Sequence, residues 1–227
     1  MLIKNWMSRS VVTIAPTGTL QMARDLMDRN EIRALPVVDG ETLVGLVTDR
    51  ALKRAEASDA TSLDTYELGY LLQKVEVKTI MVQDPPTLSF DATLVEAAEL
   101  FLEQKLEAAP VMAAEEQLVG VVTSTDLERA ILKITSSGRR GVHFGIRVID
   151  TPGRIMDVIG AVRNVRARLA SLITTDAPKE GGDREAYLHI YQLNRSAFPD
   201  LKERLEKLGT LLYWVDLRTG ERQLLNR

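Results

Sequence analysis

Leu43-Val-Gly-Leu-Val-Thr48 and Leu118-Val-Gly-Val-Val-Thr123 are one hexapeptide written twice, differing only at Leu46 and Val121. The match extends upstream at an offset shorter by one residue. Lys4 falls on Lys78, Met7 on Met81, Thr13 on Thr87, Thr19-Leu20 on Thr93-Leu94, Ala23 on Ala97 and Leu26 on Leu100. Ala34-x-Pro36-Val37 falls on Ala108-x-Pro110-Val111, so one residue is inserted in the second copy between that motif and the hexapeptide. Matches held in one order over about 55 residues mean a single supersecondary unit used twice.

Each copy reads alike. A short extended piece, Val11–Ile14 or Pro86–Ser89, precedes a helix that starts after a Thr. Thr93-Leu-Val-Glu96 has capping-box spacing, and Leu94, Ala97, Ala98 and Phe101 share one helical face. Leu20, Ala23, Leu26 and Met27 are the equivalent stripe. Two strands follow, Ala34–Val38 and Leu43–Val47, with Asp39-Gly40 as the hairpin turn. A second helix begins after Thr48 or Thr123. Such a β-α-β-β-α unit cannot cover its own apolar surface, and two packed together bury it.

Composition narrows the chemistry. The chain has 227 residues, 45% hydrophobic and 27% charged, as expected for folded domains rather than a disordered chain. It has no cysteine, which removes disulfides, thiol nucleophiles and thiolate metal sites. His143 and His189 have no histidine partner at helical spacing, so neither a zinc motif nor a Ser-His triad is indicated; His189 is expected to point outward into solvent. No catalytic residue and no metal ligand is nominated. No membrane-length apolar run or signal-like N-terminus is present, and the chain reads as cytoplasmic. Between Lys133 and Leu172 eight basic residues face only Asp150 and Asp157, while the whole chain carries −3. That uneven charge reads as a contact between the protein's own parts or a solvated face, not a nucleic-acid surface.

Met7, Leu35-Pro-Val-Val38, Gly45-Leu-Val-Thr48 and Gly120-Val-Val-Thr-Ser-Thr-Asp126-Leu together resemble a tandem pair of CBS domains, a Bateman module. The resemblance implies repeats over 1–56 and 76–135 joined by a helical connector over 57–75. It also implies a cleft for one adenosyl ligand (AMP, ATP or S-adenosylmethionine) acting as a regulatory ligand rather than a cofactor. Its ribose contacts would be Thr123 and Asp126, with Thr48 and Asp49 in the first copy. Glu107, Ala108, Ala109 and Val122 would face the adenine, and Arg33 and Arg50 the phosphate. A carboxylate can accept from ribose hydroxyls, and backbone N–H groups at a helix start favour phosphate. Thr123-x-x-Asp126 is equally a helix cap. The first copy departs from the pattern, because Ala51 stands where Asp126 stands in the second.

The last ninety residues read differently. After a hinge at 136–141, the order β-α-β-β-α-β predicts a ferredoxin-like sandwich over 142–218, followed by a tail at 219–227. Asp150-Thr-Pro-Gly153 after the first strand resembles an ACT domain, which implies a homodimer and an amino acid held near Asp150 and Gly153. There Gly153 would admit a ligand where a Cβ would intrude, or else simply serve the turn. The full arrangement, an α+β chain of two CBS repeats and an ACT-like domain, resembles the AcuB-type acetoin-utilisation family. It points to a non-catalytic sensor that reports ligand occupancy to the C-terminal domain, a dimer or an unknown regulated protein. The alternative is a constitutive dimerisation scaffold whose clefts have degenerated.

Overall fold

The computed structural model describes residues 1–59, 72–135, 138–177 and 182–225. The connector helix expected around Leu63–Leu72 and the hinge residues Ser136 and Ser137 therefore lie almost wholly outside the described residues. The chain forms two compact units, Met1–Ala130 and Ile131–Arg227.

In the first unit the two copies take the same path. α1 (Leu20–Asn30), β1 (Ala34–Asp39), β2 (Thr42–Thr48) and α2 (Asp49–Asp59) form the first. β3 (Val82–Gln83), β4 (Leu88–Ser89), α3 (Leu94–Gln104), β5 (Ala108–Met112), β6 (Leu118–Thr123) and α4 (Ser124–Ile134) form the second. Thr19 caps α1 by accepting from the Met22 N–H, and Thr93 with Glu96 completes a capping box on α3. Leu20, Ala23 and Met27 are buried on one helix, Leu94, Ala97 and Phe101 on the other, as their spacing predicts. The hairpins β1–β2 and β5–β6 carry bulges at the equivalent residues Val37 and Val111. The inserted residue of the second copy sits in the 3-10 turn Ala114–Glu116.

The segments that lead into the two copies change places. β3, which precedes the second copy's β4, pairs antiparallel with β2 of the first. Ser8, in the lead-in of the first copy, pairs with Val121 in β6 of the second, through bonds of 2.9 and 3.1 Å. Further upstream Leu2 bridges Thr93 and Glu76 bridges Thr19, again reciprocally. The glycines of the repeated hexapeptide make this possible. A Cβ on Gly120 would lie 2.5 Å from Met7 Sδ, and one on Gly45 would lie 2.5 Å from Met81 Sδ. Each methionine of the sequence repeat thus fills the notch left by the other copy's glycine.

The second unit is one antiparallel sheet, built from β7 (Val142–Ile149), β8 (Arg168–Asp176), β9 (Asp183–Tyr191), β10 (Thr210–Asp216) and β11 (Arg222–Leu224), with helices α5 (Arg154–Asn164) and α6 (Phe198–Leu208). Its strand order is β11-β10-β7-β9-β8. The residues expected to form a tail instead supply β11. Val142, Phe144, Ile146 and Val148 alternate into the core with Ala186, Leu188 and Ile190, against Val158, Val162, Leu201 and Leu205 of the helices. His189 lies on the opposite sheet face, as alternation predicts, but it is 2% exposed rather than solvated. Thr135, just after α4, lies against it, with its carbonyl 3.2 Å from His189 Nδ1.

Candidate functional site

A cleft of about 860 Å³ opens in the first unit, within the range of about 300–1,000 Å³ typical of small-molecule sites. Both copies build it. The second copy contributes Glu107, Ala108, Val121 and Thr123, then Ser124, Thr125, Asp126 and Arg129 from the start of α4. The first contributes Glu31 to Arg33 before β1, Ala34 at its start, and Asp49, Arg50 and Lys53 from α2. Its lead-in segment, Ser8 and Ser10 to Val12, completes the wall, because the pairing of Ser8 with Val121 carries that segment to the second copy.

Of the residues nominated from sequence, Thr123, Asp126, Asp49, Glu107, Ala108, Arg33 and Arg50 line this cleft. Thr48 does not, and its Oγ accepts from the Ala51 N–H at 3.2 Å as a helix cap. Ala109 and Val122 do not line it either. They are cross-strand partners, fully buried, and alternation turns both away from the cleft. Ser8, Ser10, Val11, Val12, Lys53 and Arg129 were not nominated. The first four were out of reach of sequence reasoning because an exchanged segment brings them; the last two lie one helical turn beyond Asp49 and Asp126 and could have been found from that spacing.

The Thr123–Asp126 motif is a working cap. Asp126 Oδ2 accepts from the Thr123 N–H at 2.9 Å and from its hydroxyl at 2.7 Å, while Thr123 Oγ accepts from the Asp126 N–H at 3.3 Å. Among the described residues Oδ1 meets only Arg129, at 3.2 Å. One carboxylate oxygen therefore holds the helix and the other faces an Arg that is 71% exposed. An exposed ion pair is worth about 0–1 kcal/mol, so a ligand hydroxyl can take Oδ1 without unmaking the cap.

The charges of the cleft are unevenly placed. Arg50 Nη1 reaches Glu107 Oε1 of the other copy at 3.2 Å, and Lys53 Nζ meets Asp49 at 2.6 Å. Arg33 occupies the repeat position of Glu107 and makes no ion pair among the described residues. The wall from the first copy thus carries Arg33, Arg50 and Lys53 beside Glu31 and Asp49, and the wall from the second offers hydroxyls and the carboxylates of Glu107 and Asp126.

In the second unit Asp150 pairs with Arg184 at 3.0 Å. Gly153 has φ +90°, and a Cβ there would meet nothing within 4 Å. The turn's left-handed backbone is by itself a reason for glycine at this position. No group of three or more Asp, Glu or His side chains among the described residues is placed to hold a metal ion. No helix among them is long and apolar enough to cross a membrane.

The CBS domain family model matches residues 3–58 and 77–133, the two copies read from the repeat. A CBS domain-containing protein of Dictyostelium discoideum is 34% identical over 135 residues, covering 59% of this chain and 93% of that protein. Inosine-5'-monophosphate dehydrogenase of Korarchaeum cryptofilum is 35% identical over 124 residues, 55% of this chain but only 23% of the enzyme. The crystal structure bearing the name acetoin utilization protein (AcuB) from Vibrio cholerae superposes with a TM-score of 0.50 at 27% identity, covering 60% of this chain and 93% of that one. Two matched segments at the spacing of the internal repeat, and one-third identity along nearly the whole of a relative, make this chain a member of the CBS-domain family.

Proposed function

We propose that the chain is a non-catalytic sensor that binds one adenosyl ligand in the cleft between its repeats. The observation that carries this reading is the gathering of the intact Thr123–Asp126 motif and the basic residues Arg33, Arg50 and Lys53 on opposite walls of one cleft. Asp126 Oδ1 takes a ribose hydroxyl, Ala108 and Val12 flank the base, and Arg33 receives the phosphate. Arg50 joins it by leaving Glu107, an exchange of an exposed pair worth at most about 1 kcal/mol for a charge-assisted phosphate bond worth roughly 1.5–3 kcal/mol. With Ala51 in place of a carboxylate, the first copy serves as the phosphate wall.

The C-terminal unit is assigned as an ACT-like, ferredoxin-like domain on its β-α-β-β-α-β order and on the Asp150-x-Pro-Gly153 turn. The AcuB likeness lies within 60% of the chain, so an AcuB-type role, a homodimer, an amino acid at the second unit and a regulated partner protein are parts of the same proposal. A ligand acts as a regulator only if it binds two states of the protein with different affinity. A scaffold with unused clefts is the second reading. It is favoured by Asp126, whose two oxygens already have protein partners.

Thermal shift and calorimetry with adenosine, AMP, ATP and S-adenosylmethionine separate the two. A bound ligand at a hundredfold excess over its Kd stabilises by about 2.7 kcal/mol. Binding that strengthens with phosphate and weakens in Arg33→Ala supports the sensor. No shift with any of the four refutes it and leaves the scaffold.

A further inference from the structure

The chain's two histidines meet in the second unit. His143 of β7 and His189 of β9 are direct cross-strand partners, with ring centroids 4.1 Å apart and planes 30° from parallel. His189 Nδ1 faces the Thr135 carbonyl at 3.2 Å. A carbonyl can only accept, so Nδ1 carries the proton and Nε2 is left with its lone pair. The Nε2 atoms of both rings are buried and have no hydrogen-bond partner. Gly141 closes over them, since a Cβ there would stand 3.1 Å from His189 Nε2.

Nothing among the described residues is placed to compensate a charge here. Ser171, opposite His189 in β8, gives its hydroxyl to the same Thr135 carbonyl at 3.5 Å, and Val215 lies opposite His143 in β10. Further along the strands Arg147 and Glu185 are paired with each other, with the Tyr187 hydroxyl also on Glu185. At the other end Tyr191 lies beneath Arg139. Asp216 is clamped by Arg218, and Lys133 of α4 is exposed. The pair is thus held where a proton added at either Nε2 would have no acceptor among the described residues, and two charged rings would repel. Burial, and then the neighbouring His189, hold His143 below its ordinary value of about 6.5.

We propose that His143 and His189 form a proton-sensitive latch that holds Thr135, the residue just after α4, on the second unit's sheet. While both rings are neutral the stack is closed and Thr135 is bonded. A proton on His143 opens the stack and releases Thr135. Because His143 is depressed in the folded state, the stabilisation is complete above about pH 6.5, where the unfolded chain is also neutral, and is lost as pH falls below it.

Two measurements on the full chain test this. Titration of the imidazole Cε1–H resonances should show His143 taking its proton below pH 6.5. Amide exchange in peptides covering 131–135, corrected for the intrinsic pH dependence, should quicken about five- to tenfold between pH 7.5 and 5.5, the effect of losing one hydrogen bond. His143→Phe keeps the stacked ring but removes the charge, and should abolish that change. The latch is overturned if both imidazoles titrate as free histidine does, or if exchange at 131–135 is the same at both pH values. It is also overturned if a folded His143→Phe chain keeps the full pH response.

Discussion

Substituting Gly120 by Ala tests the interlock of the two repeats. The new Cβ would stand 2.5 Å from Met7 Sδ, 3.0 Å from Met7 Cγ and 3.0 Å from the Ser8 carbonyl oxygen. Ordinary contact between such atoms lies near 3.5–4.0 Å, so the methionine must move by roughly 1 Å, and Met7 is buried with its lead-in strand bonded on both sides of Val121. Overpacking of this kind costs about 1–3 kcal/mol. Gly120 does not have the positive φ that would add backbone strain, and a stiffer unfolded chain returns about 0.4–1 kcal/mol. The net expectation is a loss of about 1–2 kcal/mol, or roughly 2–8 °C in Tm at this size. Met7→Ala alone should cost about 2–5 kcal/mol by leaving a cavity. In the double variant the methyl introduced at position 120 enters the space that Met7 vacated, so the two changes should fall short of additive by about 1 kcal/mol or more. Urea unfolding followed through Trp6, in a Trp214→Phe background, reads the first unit alone, because the chain's two tryptophans lie one in each unit. Additivity within about 0.5 kcal/mol would refute the notch-and-plug account. The pair Gly45 and Met81, with a nearly identical set of contacts, must give the same result.

Asp126→Ala should cost about 0.5–2 kcal/mol of stability as a lost cap and also weaken adenosyl-ligand binding at least tenfold by calorimetry; Glu96→Ala, which removes the matching cap on α3 away from the cleft, should cost similar stability and leave binding alone. Ala51→Asp restores the missing half of the box at Thr48, whose hydroxyl already caps the Ala51 N–H, and should raise Tm by one or two degrees. A fall in Tm would show that the first copy cannot accept a carboxylate there. In the second unit, the Tyr187 hydroxyl and then Arg147 hold the Glu185 carboxyl below the usual range. Its stabilisation is therefore present above about pH 4.5 and lost as pH falls through the lowered value, and Glu185→Gln should flatten the acid limb of a stability–pH profile. An unaltered limb in a folded variant would count against that network.

The repeat, the caps and the apolar stripes were legible because they are local: spacing along one helix or strand decides them. The site was legible in part for the same reason. Thr123, Asp126, Arg33 and Arg50 sit at helix starts and turns whose position follows from the repeat. Ser8 to Val12 were not, since their place in the cleft depends on a pairing across more than a hundred residues of sequence. Ala109 and Val122 were misjudged by the alternation of a strand, one step from Ala108 and Val121. His189 was rightly placed on the sheet face away from the helices. Its burial depends on Thr135, which the sequence alone does not bring to it.

The exchanged lead-in segments bear on how such a protein is made. On a ribosome, the first repeat's sheet lacks its third strand until Val82 has emerged, and Ser8 has no partner until Val121 has followed it. Neither repeat is complete by itself, so the native topology waits on long-range closure, the slow kind of contact. The exchange is also close to symmetric: the bonds Ile3–Ala92 and Leu94–Met1 are returned as Val77–Gly18 and Leu20–Val75, and the pairing of Ser8 with Val121 as that of Val82 with Leu46. Two separate copies of a single repeat, related by a true twofold axis, could make the same contacts. Tethering them in one chain adds a local concentration and removes the need for sequence identity. That freedom is what allows an alanine at position 51 and an aspartate at position 126 to occupy equivalent places in the two halves of one module.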